Sequence, residues 1–191
     1  MSTIIIGNGT SLLEKNNGDL IDSFADVVRF NAYTIKGFEK HVGTKTTIWY
    51  NTINFPNKSE QWRTIAPYKK VVLHSWQWDG EKDILFKDFS EFKNKENCKF
   101  DVLEKTQRSS IIEIQEYTNN KIYFPYSTGA IALWDMLKYS DHIVITGFDW
   151  WDTSKHHYND SAPRGEIHQP KDEKIFINKL VDEDKVSFLL G

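Results

Sequence analysis

Six histidines, His41, His74, His142, His156, His157 and His168, are the side chains of this sequence best suited to moving a proton near neutral pH. Imidazole titrates at about pH 6.5, so it can take a proton from a hydroxyl without help from a metal. His156, His157, Tyr158 and His168 stand in a stretch too polar to form core. They are therefore candidates for general-base work, although His156 reads equally well as a surface loop histidine. A zinc reading fares worse. The histidine spacing follows no common ligand pattern, and Asp149 with Asp152 is a weak carboxylate pair, so no metal ligands are assigned.

A second set of residues has the chemistry of anion and nucleoside binding. Gly7-Asn8-Gly9 follows a β-branched run, where small residues let backbone approach a phosphate or ribose. The segment lacks the third spaced glycine of the dinucleotide fingerprint and the Gly-Lys-Ser/Thr of a P-loop, which argues against a dehydrogenase. It reads equally as an ordinary strand-ending turn. Asn31 offers a second amide at a strand end, able to donate and accept. Arg29, alternating with it on an apolar strand, needs a buried partner, and a structural ion pair is expected. Ser127-Thr128-Gly129 brings hydroxyls and free amides to a helix start, either as an anion site or as a plain N-cap.

These residues must be positioned by the elements around them. Short apolar runs predict strands at Thr3–Ile6, Asp26–Phe30, Thr46–Tyr50, Val71–His74, His142–Thr146 and Lys185–Leu190. Helical spacing predicts helices from Ser11, over Ser59–Ala66, over Ser109–Tyr117, from Ala130 to Leu137 and over Lys171–Leu180. The charged, aromatic stretch Asp79–Lys99 has no clean period and is expected to be helix or loop. Strands alternating with helices point to a single α/β domain over residues 1–191, with a mostly parallel sheet flanked by helices. Ligands of such sheets sit beyond the carboxyl ends of the strands. Gly7-Asn8-Gly9, Arg29-Phe30-Asn31 and Gly147-Phe148-Asp149-Trp150-Trp151 all fall there. Trp76, Trp78, Trp150 and Trp151 each follow a strand end, where they can stack on a sugar ring or pack under the sheet.

Composition sets the outer limits. In 191 residues, 24 basic and 27 acidic side chains give a net charge of −3, with no basic excess to bind nucleic acid. The chain is 39% hydrophobic and 14% aromatic, enough to fold around a core. No apolar run approaches the roughly 18 residues of a membrane span, so no transmembrane segment is expected. A lone Cys98 excludes an internal disulfide, and Met1 is followed by no basic leader, so the expected location is cytoplasmic.

Taken in order, these segments resemble the sialyltransferases. Ile4-Ile5-Ile6-Gly7-Asn8-Gly9, Arg29-Phe30-Asn31 and Val42-Gly43-Thr44-Lys45-Thr46-Thr47 are similar to the large sialyl motif of the animal enzymes. Tyr126-Ser127-Thr128-Gly129 through Gly147-Phe148 resembles the small motif, and His157-Tyr158 the third. His168 and Glu173, separated by four residues, resemble the very small motif. Gly7-Asn8-Gly9-Thr10-Ser11 and Gly147-Phe148-Asp149-Trp150-Trp151 also resemble segments of single-domain bacterial members. Residues 54–119 stay unmatched.

The resemblance implies a Rossmann-like, GT-A-like variant fold and metal-independent, inverting transfer. A sialic acid or related nonulosonic sugar would pass from its CMP conjugate to a glycan or glycolipid hydroxyl, with no further cofactor. It implies that Asn8, Gly9 and Asn31 hold cytidine and phosphate, and that Ser127, Thr128 and Gly129 bind phosphate, ribose or the donor carboxylate. Gly147, Asp149, Trp150 and Trp151 would complete the donor site. His168 would be the base, with His157 or Tyr158 supporting the leaving phosphate. The animal members carry an anchor and a disulfide; the single cysteine here implies a cytoplasmic form of bacterial or viral type. Pro125 and Trp151 stand where relatives place tyrosines, so the phosphate role passes to Tyr126, Tyr158 or His157. The alternative is a CMP-binding homologue without catalysis.

Overall fold

Thr3–Ile6 (β1) is four consecutive buried residues, the pattern of a strand covered on both faces. In the computed structural model, which describes residues 2–52, 68–74, 99–102, 107–120, 126–150, 157–159 and 170–190, this strand is the pivot of the sheet. Asp26–Phe30 (β2), Ile48–Thr52 (β3), Lys70–His74 (β4) and Lys99–Val102 (β5) extend outward from one side of it. Ile143–Thr146 (β6) and Val186–Phe188 (β7) extend from the other. The order is β5-β4-β3-β2-β1-β6-β7 and every pair is parallel. The chain thus reverses its direction of travel at β1, with Ile5 in register with Val28 on one side and Ile145 on the other. That junction is a topological switch point, where the loops leaving adjacent strands part and open a crevice.

Alternation along β1 divides the core. Ile5 faces a layer containing Val28, Tyr50, Ile114, Leu133 and Phe176. That layer is covered by Gln107–Thr118 (α3), Thr128–Met136 (α4) and Pro170–Asp182 (α5). Ile4 and Ile6 face the opposite layer with Leu12, Ile21, Val27, Val42 and Tyr158. There the cover is a 3-10 helix at Thr10–Glu14 and two short helices, Gly18–Asp22 (α1) and Glu39–Val42 (α2). Each fully buried aliphatic side chain of this kind contributes roughly 1.5–3 kcal/mol by leaving water. Pro170 opens α5 at the first helical position, where its missing N–H costs nothing.

The expected mostly parallel α/β sheet flanked by helices is the one observed, with shifts at element ends. β3 begins at Ile48 and not Thr46, because Thr47 is spent on β2: its hydroxyl accepts the Val27 amide at 2.9 Å. The strand foreseen at Lys185–Leu190 pairs only over Val186–Phe188. β5 and α2 were not foreseen. The expected helix at residues 59–66 and most of the stretch at 79–99 lie outside the described residues. Among the described residues, no helix is long and apolar enough to cross a membrane.

Candidate active site

The loops after β1 and β6 are zipped together at the switch point. The Gly7 amide donates to Thr146 O at 2.8 Å, and the Gly9 amide to Gly147 O at 2.9 Å. A Cβ on Gly7 would lie 2.1 Å from Gly147 O, and one on Gly9 would lie 2.4 Å from the Asp149 carboxylate. The two glycines are thus required by loop-to-loop approach, before any ligand is considered. Asp149 in turn accepts the Ser11 amide at 2.9 Å, the Ser11 hydroxyl, and Thr10 Oγ1 at 3.5 Å. Between the glycines, Asn8 is half-buried, and its carbonyl accepts the Tyr158 amide at 2.9 Å.

One strand further out, Asn31 has a φ of 51°, a left-handed conformation that asparagine tolerates better than most residues. Its amide donates to Tyr50 O at 2.8 Å, and its carbonyl accepts Trp49 Nε1 at 2.9 Å. Its side-chain Nδ2 donates to Thr128 Oγ1 at 2.9 Å, joining the end of β2 to the start of α4. Phe30 and Phe148, with ring centroids 6.2 Å apart, close over Gly129, whose Cβ would lie 2.7 Å from the Phe30 ring. Asn31, Thr128 and Gly129 are thereby brought together beside Phe30 and Phe148, while Asp149 is bound to the loop after β1 that carries Asn8.

Ser127 is the N-cap of α4, its hydroxyl accepting the Ala130 amide at 3.3 Å. It also donates to Glu173 Oε2 at 2.9 Å, while the Ser127 amide donates to Glu173 Oε1. Glu173, in the first turn of α5, is only 4% exposed. Burial pushes its carboxyl pKa up to about 7, against the opposing pull of the two Ser127 bonds. The pairing was not foreseen: Glu173 stood in the sequence as a motif residue without a role.

The expected ion pair of Arg29 is not what forms. The guanidinium is buried, and its bonds go to Thr46 Oγ1 at 3.0 Å, Lys45 O at 3.3 and 3.4 Å, and Val42 O. These oxygens belong to the end of α2 and the loop after it, where carbonyls lack helical partners. The same loop is held from outside by Asp22, which accepts the Thr44 amide at 2.8 and 2.9 Å and the Lys45 amide at 2.9 Å. Arg29 and residues 42–47 therefore form a scaffold that sets β2, and with it Asn31.

Tyr158 is buried with its ring edge-on to Phe38 at 5.1 Å. Its hydroxyl donates to Thr34 O and accepts the Thr34 amide at 3.2 Å, and burial raises its pKa. That hydroxyl is committed to the protein. His157, next to it, is half-buried. Tyr126 is buried against Phe176, with centroids 5.9 Å apart. Trp151 and His168 lie outside the described residues.

A groove of about 440 Å³ runs beside the zipped loops, lined by Ser11, Lys15, Asp149, Trp150, Lys174 and Phe188 among others. Trp150 has a φ of 47° and stands edge-on to Phe188 at 5.8 Å, with Lys174 Nζ 5.2 Å from its ring. Gly147, Asp149 and Trp150 line this groove, whereas Asn8, Gly9, Asn31, Thr128 and Gly129 do not. Among the described residues, no cluster of three or more His, Cys, Asp or Glu is placed to hold a metal.

Residues 2–185 match the model of glycosyltransferase family 29 (sialyltransferase). The human CMP-N-acetylneuraminate-beta-1,4-galactoside alpha-2,3-sialyltransferase is 39% identical over 83 residues, which is 41% of this chain and 20% of that protein. Chicken beta-galactoside alpha-2,6-sialyltransferase 2 is 26% identical over 200 residues, covering 94% of this chain and 38% of its own. The chain thus spans well under half of these relatives. In fold it is similar to a mammalian sialyltransferase crystallised with Gal-beta-1-3GalNAc-ortho-nitrophenol, at a TM-score of 0.68 and 21% identity, covering 100% of this chain and 69% of that one. It is also similar to the sialyltransferase CstII of Campylobacter jejuni in complex with CMP-3FNeuAc, at 0.59 and 15%, covering 98% and 80%. With a family match that runs from the first described strand to the last helix and a sheet built on the same plan, this chain belongs to glycosyltransferase family 29, the sialyltransferases.

Proposed function

We propose that the chain transfers a sialic acid, or a related nonulosonic sugar, from its CMP conjugate to a hydroxyl of a glycan or glycolipid, inverting the anomeric centre without a metal. The observation that carries this reading is the convergence of Asn8, the Asn31–Thr128 pair and Asp149 on one switch point. That is where a doubly wound sheet receives a nucleotide. Asn8 and Asn31 then meet the cytidine and phosphate, and the first turn of α4 meets the anionic end of the donor. The groove beside Asp149 and Trp150 has room for a nucleoside, and its wall carries two lysines, Lys15 and Lys174, with two carboxylates, Glu14 and Asp149.

The chemistry needs little more. The acceptor oxygen bonds to the anomeric carbon from the face opposite the phosphate as the bond to the phosphate oxygen breaks. CMP leaves with that electron pair, and His168 takes the acceptor proton. Amides and a histidine fixed on the departing phosphate lower the barrier because they need not reorganise. With the Tyr158 hydroxyl engaged by Thr34 and Tyr126 buried against Phe176, we assign the phosphate role to His157. The same engagement favours the second reading, a CMP-binding member without catalysis.

The deciding experiment incubates the purified chain with CMP-N-acetylneuraminate and a panel of glycans, with and without chelator. Transfer that survives chelation and is lost in His168→Ala, with CMP binding kept, supports the reading. CMP binding without transfer or donor hydrolysis leaves only the second reading, and requirement for a divalent ion overturns the metal-independent mechanism.

A further inference from the structure

The N-cap hydroxyl of α4 is fully used inside the protein. Ser127 Oγ donates to Glu173 at 2.9 Å and accepts from Ala130 at 3.3 Å, and Thr128 Oγ1 accepts from Asn31 at 2.9 Å. An anion arriving at this helix end therefore meets backbone amides of the first turn more than serine hydroxyl. The direction of those amides depends on what holds Ser127, and Glu173 holds it twice, from a helix 46 residues away in sequence.

We propose that Glu173 is a positioning residue for the donor: its carboxyl group, bonded to both the amide and the hydroxyl of Ser127, sets the first turn of α4 for an anionic ligand and ties that turn to α5. The role rests on the CMP-sugar reading above. It has an electrostatic consequence that a purely structural brace lacks. An ionised Glu173 stands at the helix end that receives the phosphate, and like charges oppose each other there; a neutral Glu173 keeps a bond to Ser127 without that opposition.

Among the described residues, no cation is placed to mask the charge of Glu173: burial is the leading influence on it, and Ser127 opposes that influence. The other titratable groups among the described residues near it are few. Tyr126 has a hydroxyl held neutral by burial, and Asp172 on α5 accepts from Asn120 at 3.3 Å. Lys174 is turned to Trp150. On α3, Glu113 accepts from Trp134 and Tyr117 donates to Glu183. Phosphate affinity should therefore follow the protonation of Glu173.

The test measures binding of CMP and of uncharged cytidine by calorimetry to the full chain, its Glu173→Gln and Glu173→Ala variants, and Ser127→Ala, with circular dichroism to verify folding. Between about pH 6 and about pH 8, CMP affinity of Glu173→Gln should rise about fivefold relative to wild type, while the cytidine ratio stays flat. Titration of the CMP phosphate itself cancels in this ratio. Glu173→Ala and Ser127→Ala should lose CMP affinity at every pH and keep cytidine affinity. A CMP ratio that does not change with pH, or cytidine losses equal to those of CMP, overturns the positioning role. If wild type binds neither CMP nor cytidine, the nucleotide reading fails and takes this role with it, a result distinct from pH-flat binding.

Discussion

Asp149 and Ser11 are 138 residues apart in sequence, yet the Asp149 carboxylate accepts both the amide and the hydroxyl of Ser11. One side chain from the loop after β6 thereby caps the 3-10 helix that follows β1, across the switch point. The carboxylate oxygens are turned to the protein, so Asp149 acts on a ligand chiefly by fixing the walls of the groove. Asp149→Ala leaves the Ser11 amide without its acceptor and should cost about 1–3 kcal/mol of stability. CMP affinity should fall with it. Asp149→Asn, which keeps one accepting oxygen, should recover more than half of both losses. Urea denaturation and calorimetry on the two variants check this; equal losses would mean that charge, and not the clamp, is what matters.

The two loops also set a limit on size. Gly7→Ala would place a Cβ 2.1 Å from Gly147 O, a backbone atom that cannot swing aside. The zipper must open, and a loss of about 2–4 kcal/mol with weakened CMP binding is expected. Gly37→Ala is the control. Its Cβ would meet nothing within 4 Å, and only its φ of +86° is unfavourable for alanine. A loss of about 1–2 kcal/mol with CMP binding unchanged is expected there. Thermal unfolding of both variants decides: a Gly7→Ala protein as stable as Gly37→Ala would show that the loops part easily.

What the sequence made legible follows from how local each signal is. β1 stood out because a strand buried on both faces must be apolar at every position, and Thr3–Ile6 nearly is. The Ser127 N-cap was legible because its bond reaches only to Ala130. β5 was missed because Lys99-Phe100-Asp101-Val102 carries charge at alternate positions, as an edge strand can, and follows a charged stretch. α2 was missed because four residues are too few to show a helical period. At the site, Asn8, Asn31 and Thr128 were recognisable as residue types, but the Asn31–Thr128 bond spans 97 residues and exists only once the sheet has formed. For Gly7 and Gly9 the sequence leaves ligand approach and an ordinary strand-ending turn equally open; the loop-to-loop contact that excludes a Cβ at both joins segments about 140 residues apart, which no local signal marks. Arg29 was read as half of an ion pair because a carboxylate is the usual partner of a buried cation. A helix end with unpaired carbonyls meets the same need, and no residue type in the sequence marks it.

Arg29 therefore carries a prediction that separates scaffold from site. Arg29→Met keeps much of the buried apolar stem but leaves Val42 O, Lys45 O and Thr46 Oγ1 without their donor. Buried acceptors stripped of a partner cost about 1–3 kcal/mol each, so a loss of about 3 kcal/mol or more is expected. Arg29→Lys keeps the charge but has a single ammonium in place of a planar fork, and it should lose about half as much. Where the variants stay folded, CMP affinity should drop less than tenfold, since Arg29 shapes the strand that ends in Asn31 without being assigned a ligand contact. Equilibrium unfolding paired with CMP titration checks the split. A variant of full stability with binding abolished would place Arg29 in the site itself.

Glu173 gives the clearest dependence of stability on pH. Its carboxyl pKa is raised from an ordinary 4.5 to about 7 in the folded chain, chiefly by burial. The folded state therefore holds a proton that the unfolded state releases. The stability linked to that proton is complete below about pH 4.5 and is lost as pH rises through about 7. Above about pH 7 no further loss from this group is expected. Across the window the loss should be on the order of 3 kcal/mol, at about 1.4 kcal/mol per pH unit. Glu173→Gln has no proton to release, so its stability should be flatter with pH over the same interval. The variant should start below wild type at acid pH, where it forfeits part of the Ser127 pairing, and then overtake it as Glu173 ionises. Urea unfolding of both proteins at half-unit steps of pH gives the two curves. Curves that run parallel would show that Glu173 is already ionised at the acid end, and would remove the basis for any competition between its charge and a bound phosphate.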